Sequence, residues 1–266
     1  DENIDTIGHA VLITLIGAVS VACFWYAIRH RQPFTTGEAK SPTPYYDYIL
    51  LLGCLTFLIM EGYWQYQYNI FGTRYGLATL IPMVLFFCLA YWLDNRGVLS
   101  LGITALATWL GITVTPQDLL RQNDFSSETL VVSGVFLGLF LTVVPFLSER
   151  WNFKKHFSLT YLNFGVHILM ISTLAGMMAL ESEILYFPLL CISVAFFLWY
   201  ARTRGSFYFL TVPVIYGYIG LTYMIIVHTG SLGMDFMFYL FYFILSFAGV
   251  ILFLTNYKRI IKTDKP

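Results

Sequence analysis

Apolar residues come in this chain as blocks about 20 long, separated by short polar breaks, and no other feature constrains the fold as strongly. A helix rising 1.5 Å per residue needs about 20 residues to cross a hydrocarbon core roughly 30 Å thick. Lipid offers the backbone no water, so each block must close its own hydrogen bonds as an α-helix. A β-barrel would instead carry segments of about ten residues with alternating polarity, and the sequence has none. Nine blocks are read, at 8–28, 46–66, 75–93, 98–114, 130–147, 157–180, 184–201, 207–227 and 236–256. Turn and breaker residues mark most boundaries, among them Gln32-Pro33, Pro42-Thr43-Pro44, Asp94-Asn95-Arg96-Gly97 and Arg204-Gly205. The expected fold class is all-α: a polytopic integral membrane protein of about nine transmembrane helices, built from consecutive helical hairpins. A single transmembrane domain, 1–266, is expected, without a separate soluble domain. Charged residues make up 11% of the chain, against about 25% in an ordinary soluble domain.

The few charges are unevenly placed. Thirteen of the 15 Lys and Arg residues follow odd-numbered blocks: Arg29, Arg31, Lys40, Arg96, Arg150, Lys154, Lys155, Arg202, Arg204, Lys258, Arg259, Lys262 and Lys265. Only Arg74 and Arg121 follow even-numbered ones. Cytoplasmic loops carry the basic excess, which puts the N-terminus outside and the C-terminus in the cytoplasm. A formal net charge of zero argues against nucleic acid, whose binding needs a basic surface. The expected partners are the lipid bilayer and other membrane proteins. The four cysteines, Cys23, Cys54, Cys88 and Cys191, lie inside apolar blocks with no CxxC or Cys/His spacing, so they read as small apolar residues. The sequence opens at Asp1, so either an upstream segment has been removed or the sequence begins part-way through the protein. The first block has no basic stretch before it and does not read as a signal peptide.

A weak repeat runs through the middle. Arg96, Arg150 and Arg204 are spaced 54 residues apart, each just past the end of an apolar block in a helical hairpin with a tight turn. Repeated hairpins occur in transporters, and they also arise because short-looped hairpins add spans easily. The 115–128 segment contains Pro116-Gln117-Asp118-Leu119-Leu120, which reads as a short interfacial helix.

Residues 89–112 run from Leu89-Ala90-Tyr91-Trp92-Leu93-Asp94-Asn95-Arg96 into a Leu-rich stretch ending Trp109-Leu110-Gly111-Ile112. This hairpin resembles bacterial membrane proteins of the DUF2157 type, which share the tyrosine, the Asp-x-Arg turn and the Trp-x-Gly ending. The resemblance implies a multi-helix protein of the bacterial inner membrane. It implies no known activity, so it carries over no functional residue and no cofactor.

Ionisable groups within membrane spans are costly and are therefore functional candidates. Glu61, in Met60-Glu61-Gly62-Tyr63-Trp64, lies near the outer end of the second block. It reads either as a ligand or proton site open to the outside, with Trp64 beside it, or as an interfacial carboxylate in an aromatic belt. His167 sits mid-block with Asn163 one turn earlier. It reads as a metal, haem or proton site, or as one partner in an interhelical hydrogen bond. His228 joins His9, Glu61, Glu181 and Asp235 in a candidate outer cluster. Asp94 with Arg96, and Glu149 with Arg150, read as solvated turn charges or as a cytoplasmic docking patch. Gly102, Thr104, Thr108 and Gly111 suggest that the fourth helix is centrally packed. No HExxH, P-loop, GxSxG or GxGxxG is present, so no catalytic residue, metal ligand or cofactor is assigned. The function expected is non-enzymatic, an inter-helix cavity that binds or moves a small or lipidic molecule. The site candidates are Glu61, Trp64, His167 and His228. The alternatives are an accessory subunit of a membrane complex and a membrane enzyme acting at the outer face.

Overall fold

The computed structural model describes residues 2–72, 74, 76–114, 127–230 and 236–257. Among these it contains nine α-helices: α1 (Glu2–Arg29), α2 (Tyr46–Tyr68), α3 (Leu77–Leu93), α4 (Arg96–Val114), α5 (Glu128–Arg150), α6 (Ser158–Met178), α7 (Glu183–Arg204), α8 (Phe207–Gly230) and α9 (Phe236–Thr255). Each falls on one of the nine expected blocks, and no strand occurs among the described residues. The protein is thus an all-helical, multi-pass integral membrane protein. Seven helices are long and apolar enough to cross a bilayer, α3 and α4 being the exceptions. The 17 residues of α3 reach about 26 Å and the 19 of α4 about 29 Å. These two pack against each other as a hairpin, and such a pair returns the chain to the side it left whether or not both helices cross fully. The proposed interfacial helix at 116–120 lies outside the described residues, as do Arg121 and the basic residues from Lys258 onward.

The described helices form two compact units. The first contains α1–α4, α5 from Phe140, and the start of α6 up to Phe164; the second contains α5 up to Leu139, α6 from Gly165, and α7–α9.

In the first unit, α1 and α2 meet at a glycine. The Ser20 hydroxyl donates to the Gly53 carbonyl at 2.9 Å, and a Cβ on Gly53 would lie 2.9 Å from the Cys23 Cβ. Tyr46 donates to the Ala27 carbonyl at 3.1 Å, closing the other end of the contact. Tyr46, Leu50, Cys54 and Glu61 then form one buried stripe along α2 at helical spacing. The α3–α4 turn is tight because Asp94 takes a left-handed backbone, φ 59°, which Asp tolerates better than most residues. Asn95 follows as the cap of α4, its Oδ1 accepting from the Val98 N–H at 2.9 Å.

The expected central packing of the fourth helix is only partly met. Gly102 and Gly111 are buried, but Thr104 and Thr108 are exposed, and each donates to a carbonyl of its own helix one turn back. A hydroxyl that bonds its own backbone needs no neighbour. The closest approach of a glycine to another helix's backbone lies instead in the second unit, on α5. A Cβ on Gly138 would meet the Leu169 backbone of α6 at 2.6–2.7 Å, and one on Gly134 would meet the Ser172 Oγ at 2.2 Å. This is the GxxxG spacing that lets membrane helices approach closely. Cys23 and Cys54 are buried, whereas Cys88 and Cys191 are exposed, and all four are free.

Candidate functional site

The most elaborate polar site lies at the loop end of the first unit, where the α3–α4 turn meets the 31–44 loop and the segment joining α5 to α6. Its centre is the Asp94 carboxylate. Lys154 donates to Oδ1 at 2.8 Å and the His156 Nε2–H donates to the same oxygen at 2.7 Å. The Ala39 amide donates to Oδ2 at 2.5 Å. The Asp94, Lys154 and His156 side chains are 4%, 2% and 7% exposed, so this is a buried charge cluster and not a solvated turn. That corrects the expectation for Asp94. Its partner is Lys154, while Arg96 reaches outward to Glu38 at 2.7 Å, both side chains being about half exposed. The physical reason is geometric: the left-handed turn aims the Asp94 side chain back under the loop, where three donors converge.

Lys154 is held from both ends. Its backbone is also left-handed, φ 48°, and its N–H donates to the Thr36 carbonyl at 2.8 Å. The ammonium lies 5.0 Å from the Phe34 ring, within cation–π range. Tyr91 roofs the cluster. It stacks on Phe153 at 5.9 Å, meets Phe157 edge-on at 5.2 Å, and shares a 2.9 Å hydrogen bond with the Tyr161 hydroxyl. Beside the ion pair, Asp47 accepts from Asn95 at 2.8 Å and from Ser41 at 2.5 Å. A cavity of about 20 Å³ between Asp47, Asp94 and Lys154 has room for one water molecule.

The four residues singled out in the sequence stand as follows. Glu61 is 6% exposed on the buried stripe of α2, and its Oε1 has no hydrogen-bond partner among the described residues. Trp64, one turn on, is exposed. His9 of α1 bonds the Tyr63 hydroxyl of α2, which is not one of the residues of the candidate outer cluster. In the second unit, His167 is bracketed by two tyrosines of α8, with Nδ1 3.0 Å from the Tyr216 hydroxyl and Nε2 2.7 Å from that of Tyr208. One ring nitrogen donates and the other accepts, so the side chain links α6 to α8 by hydrogen bonds. His228 is exposed, its Nδ1 bonds the Met224 carbonyl, and its Nε2 lies 3.8 Å from Glu183. Asp235 lies outside the described residues. No three His, Cys, Asp or Glu side chains converge as a metal centre would require, among the described residues.

The second unit also holds an open groove of about 570 Å³ between α7, α8 and α9. Its walls include Leu190, Val194 and Leu198 of α7, Val214 and Leu221 of α8, and Val250 and Phe253 of α9. The groove exists because α9 packs sparsely: it has no buried residue. Side-chain hydrogen bonds hold it to α8, from Tyr218 to Ser246 at 3.1 Å and from Thr222 to Tyr242 at 2.8 Å. None of the four sequence candidates lines it.

No protein-family model, curated protein or solved structure matches this chain. The functional reading therefore rests on the geometry.

The sequence left signals for some of what was missed. Lys154-Lys155-His156 is, with Arg29-His30-Arg31, one of two basic triplets containing a histidine at a span end, and Asp94 opens the Asp94-Asn95-Arg96-Gly97 turn. The pairing between them is long-range and leaves no periodic trace. The groove depends on the side chains that α9 does not touch, which hydropathy cannot report.

Proposed function

We propose that this chain is a non-enzymatic protein of the bacterial inner membrane that binds an apolar, lipidic molecule in the groove between α7, α8 and α9. The groove itself is the observation that carries the reading. Its volume falls within the roughly 300–1,000 Å³ usual for small-molecule pockets, and apolar side chains dominate its lining. It lies within the apolar stretches of all three helices, so its natural occupant arrives through the hydrocarbon and not from water. Tyr218 and Ser246, its principal hydroxyl groups, satisfy each other. The walls therefore favour an acyl or isoprenoid chain over a polar solute.

Two further expectations belong to this reading. The orientation, N-terminus outside and C-terminus cytoplasmic, is supported by Arg29, Arg31, Lys40, Arg96, Lys154 and Lys155 gathering at one end of the first unit. The DUF2157-type resemblance is supported by α3 and α4 forming a tight hairpin at the matching turn.

Gly249 gives the test. It lines the groove, and a Cβ there meets nothing within 4 Å, so the side chain of Gly249→Phe starts from open space and occupies the groove. In nanodiscs containing a phospholipid with a photoreactive acyl chain, labelling of wild type is expected to concentrate on α7 and α9 facing the groove. In Gly249→Phe that labelling is expected to fall several-fold while the helical signal and monodispersity are kept. Equal labelling in the filled variant would refute the reading.

A second reading, an accessory subunit, draws on α9 alone. Phe236, Phe241, Leu245, Phe247 and Leu252 are all exposed along it. Mild-detergent recovery from native membranes as a lone monomer would count against a stable partner there.

A further inference from the structure

The structure points to a second binding site, for a phosphodiester headgroup, in the polar pocket beside the buried Asp94–Lys154–His156 cluster. The pocket has a volume of about 300 Å³ and is lined by Thr36, Gly37 and Glu38 of the first loop and by Asn152, Lys155 and His156 of the α5–α6 segment. It lies wholly within the first unit and is independent of the groove between α7, α8 and α9.

Charge accounting identifies the ligand's sign. Around the pocket, Lys154 is neutralised by Asp94 and Arg96 by Glu38. Lys155 forms no ion pair among the described residues, and its side chain is exposed at the pocket wall. His156 is fixed differently. Asp94 accepts its Nε2–H, which holds the ring in place at the pocket wall. Asn152 adds an amide donor on a left-handed backbone, φ 53°. These groups converge from one segment as a donor set for phosphate oxygens. Arg31 and Lys40 of the same loop strengthen the field that draws anions to this face.

Glu38 narrows the class. Its Oε1 is held by Arg96, which leaves the second oxygen to accept hydrogen bonds from hydroxyl or ammonium groups. The ligand that suits both walls is a phosphodiester whose second arm carries such donors. Trp151 and Phe153 are exposed next to the pocket, and aromatic residues of this kind sit at the headgroup level of a bilayer. The chemistry belongs equally to a glycerol- or ethanolamine-bearing lipid headgroup and to a soluble glycerophosphodiester.

The test uses the full chain in nanodiscs of pure phosphatidylcholine, to which phosphatidylglycerol is added in one arm and water-soluble glycerophosphoglycerol in another. Thermal stabilisation and lipid retention by native mass spectrometry are the readouts. Wild type is expected to retain phosphatidylglycerol over phosphatidylcholine at least fivefold. Lys155→Gln is expected to lose that preference, and Glu38→Gln to lose the discrimination between phosphatidylglycerol and a simple phosphatidic acid. Arg150→Gln, which removes an exposed charge outside the pocket, is expected to keep both. Stabilisation by the soluble diester alone would assign the site to a soluble ligand with the same chemistry. Equal retention in Lys155→Gln and wild type, or equal losses in Lys155→Gln and Arg150→Gln, would overturn the site. Lys155 is exposed, so its substitution leaves the fold intact and each outcome is readable.

Discussion

Glu61 carries a carboxylate oxygen that the protein encloses and does not satisfy. An unsatisfied buried polar group costs about 1–3 kcal/mol, and the Tyr46 hydroxyl on the same α2 stripe is already used on the Ala27 carbonyl. If Glu61 serves only packing, an apolar residue of similar length should serve better. Glu61→Leu is therefore expected to raise the unfolding free energy by about 1–3 kcal/mol, measured by reversible denaturation in mixed micelles. A loss of stability of that size would mean that the carboxyl has a partner in the membrane-embedded protein. His167 presents the opposite case, since both its ring nitrogens already have tyrosine partners. The sequence could flag both residues by type and depth. Which of the two was satisfied depended on side chains 41 and 49 residues away, beyond the reach of any local pattern.

Among the helices, glycines divide by what a methyl group would strike. Gly138 faces the α6 backbone so closely that Gly138→Ala requires two helices to separate. Overpacking of this kind costs about 1–3 kcal/mol, and a fall of that size is expected in the same denaturation assay. Gly62, mid-helix on an exposed face of α2, meets nothing within 4 Å. Gly62→Ala is expected to be neutral or stabilising by up to about 1 kcal/mol. The helices themselves were legible in the sequence because hydropathy integrates over about 20 residues and tolerates small boundary errors. Their neighbours were less legible. The glycines and threonines of α4 carry the composition of a packed helix, yet Thr104 and Thr108 bond their own backbone, whereas Gly138 of α5 makes the closest approach to a neighbouring helix backbone.

At the scale of the molecule, the Asp94 cluster ties together three stretches that are distant along the chain: the first loop through Ala39 and Thr36, the α3–α4 turn, and the α5–α6 segment. Removing one member of a buried ion pair leaves its partner uncompensated, at about 3–5 kcal/mol. His156 and the Ala39 amide still hold Asp94, so Lys154→Ala is expected near the lower end, about 3 kcal/mol, with the 31–44 loop becoming sensitive to protease. The double variant Asp94→Asn with Lys154→Met leaves no stranded charge and is expected to recover at least half of that loss. A double variant no more stable than Lys154→Ala would show that the charges are not the source of the cost. Counting loop charges for topology treats Lys154 as free, whereas the folded protein neutralises it. The rule behind the count concerns the chain as it is threaded, before the pair forms.

That order of events has a clock. His156 follows Asp94 by 62 residues, so at roughly 5–20 residues per second the ribosome delivers it about 3–12 s later. When Asp94 is delivered α1 to α3 are already made, and α4 and α5 are added during the interval, while the α3–α4 turn waits for the charges that complete it. The first unit therefore cannot reach its final state hairpin by hairpin. It is finished retroactively, once α5 has been made and the chain has turned back toward α6.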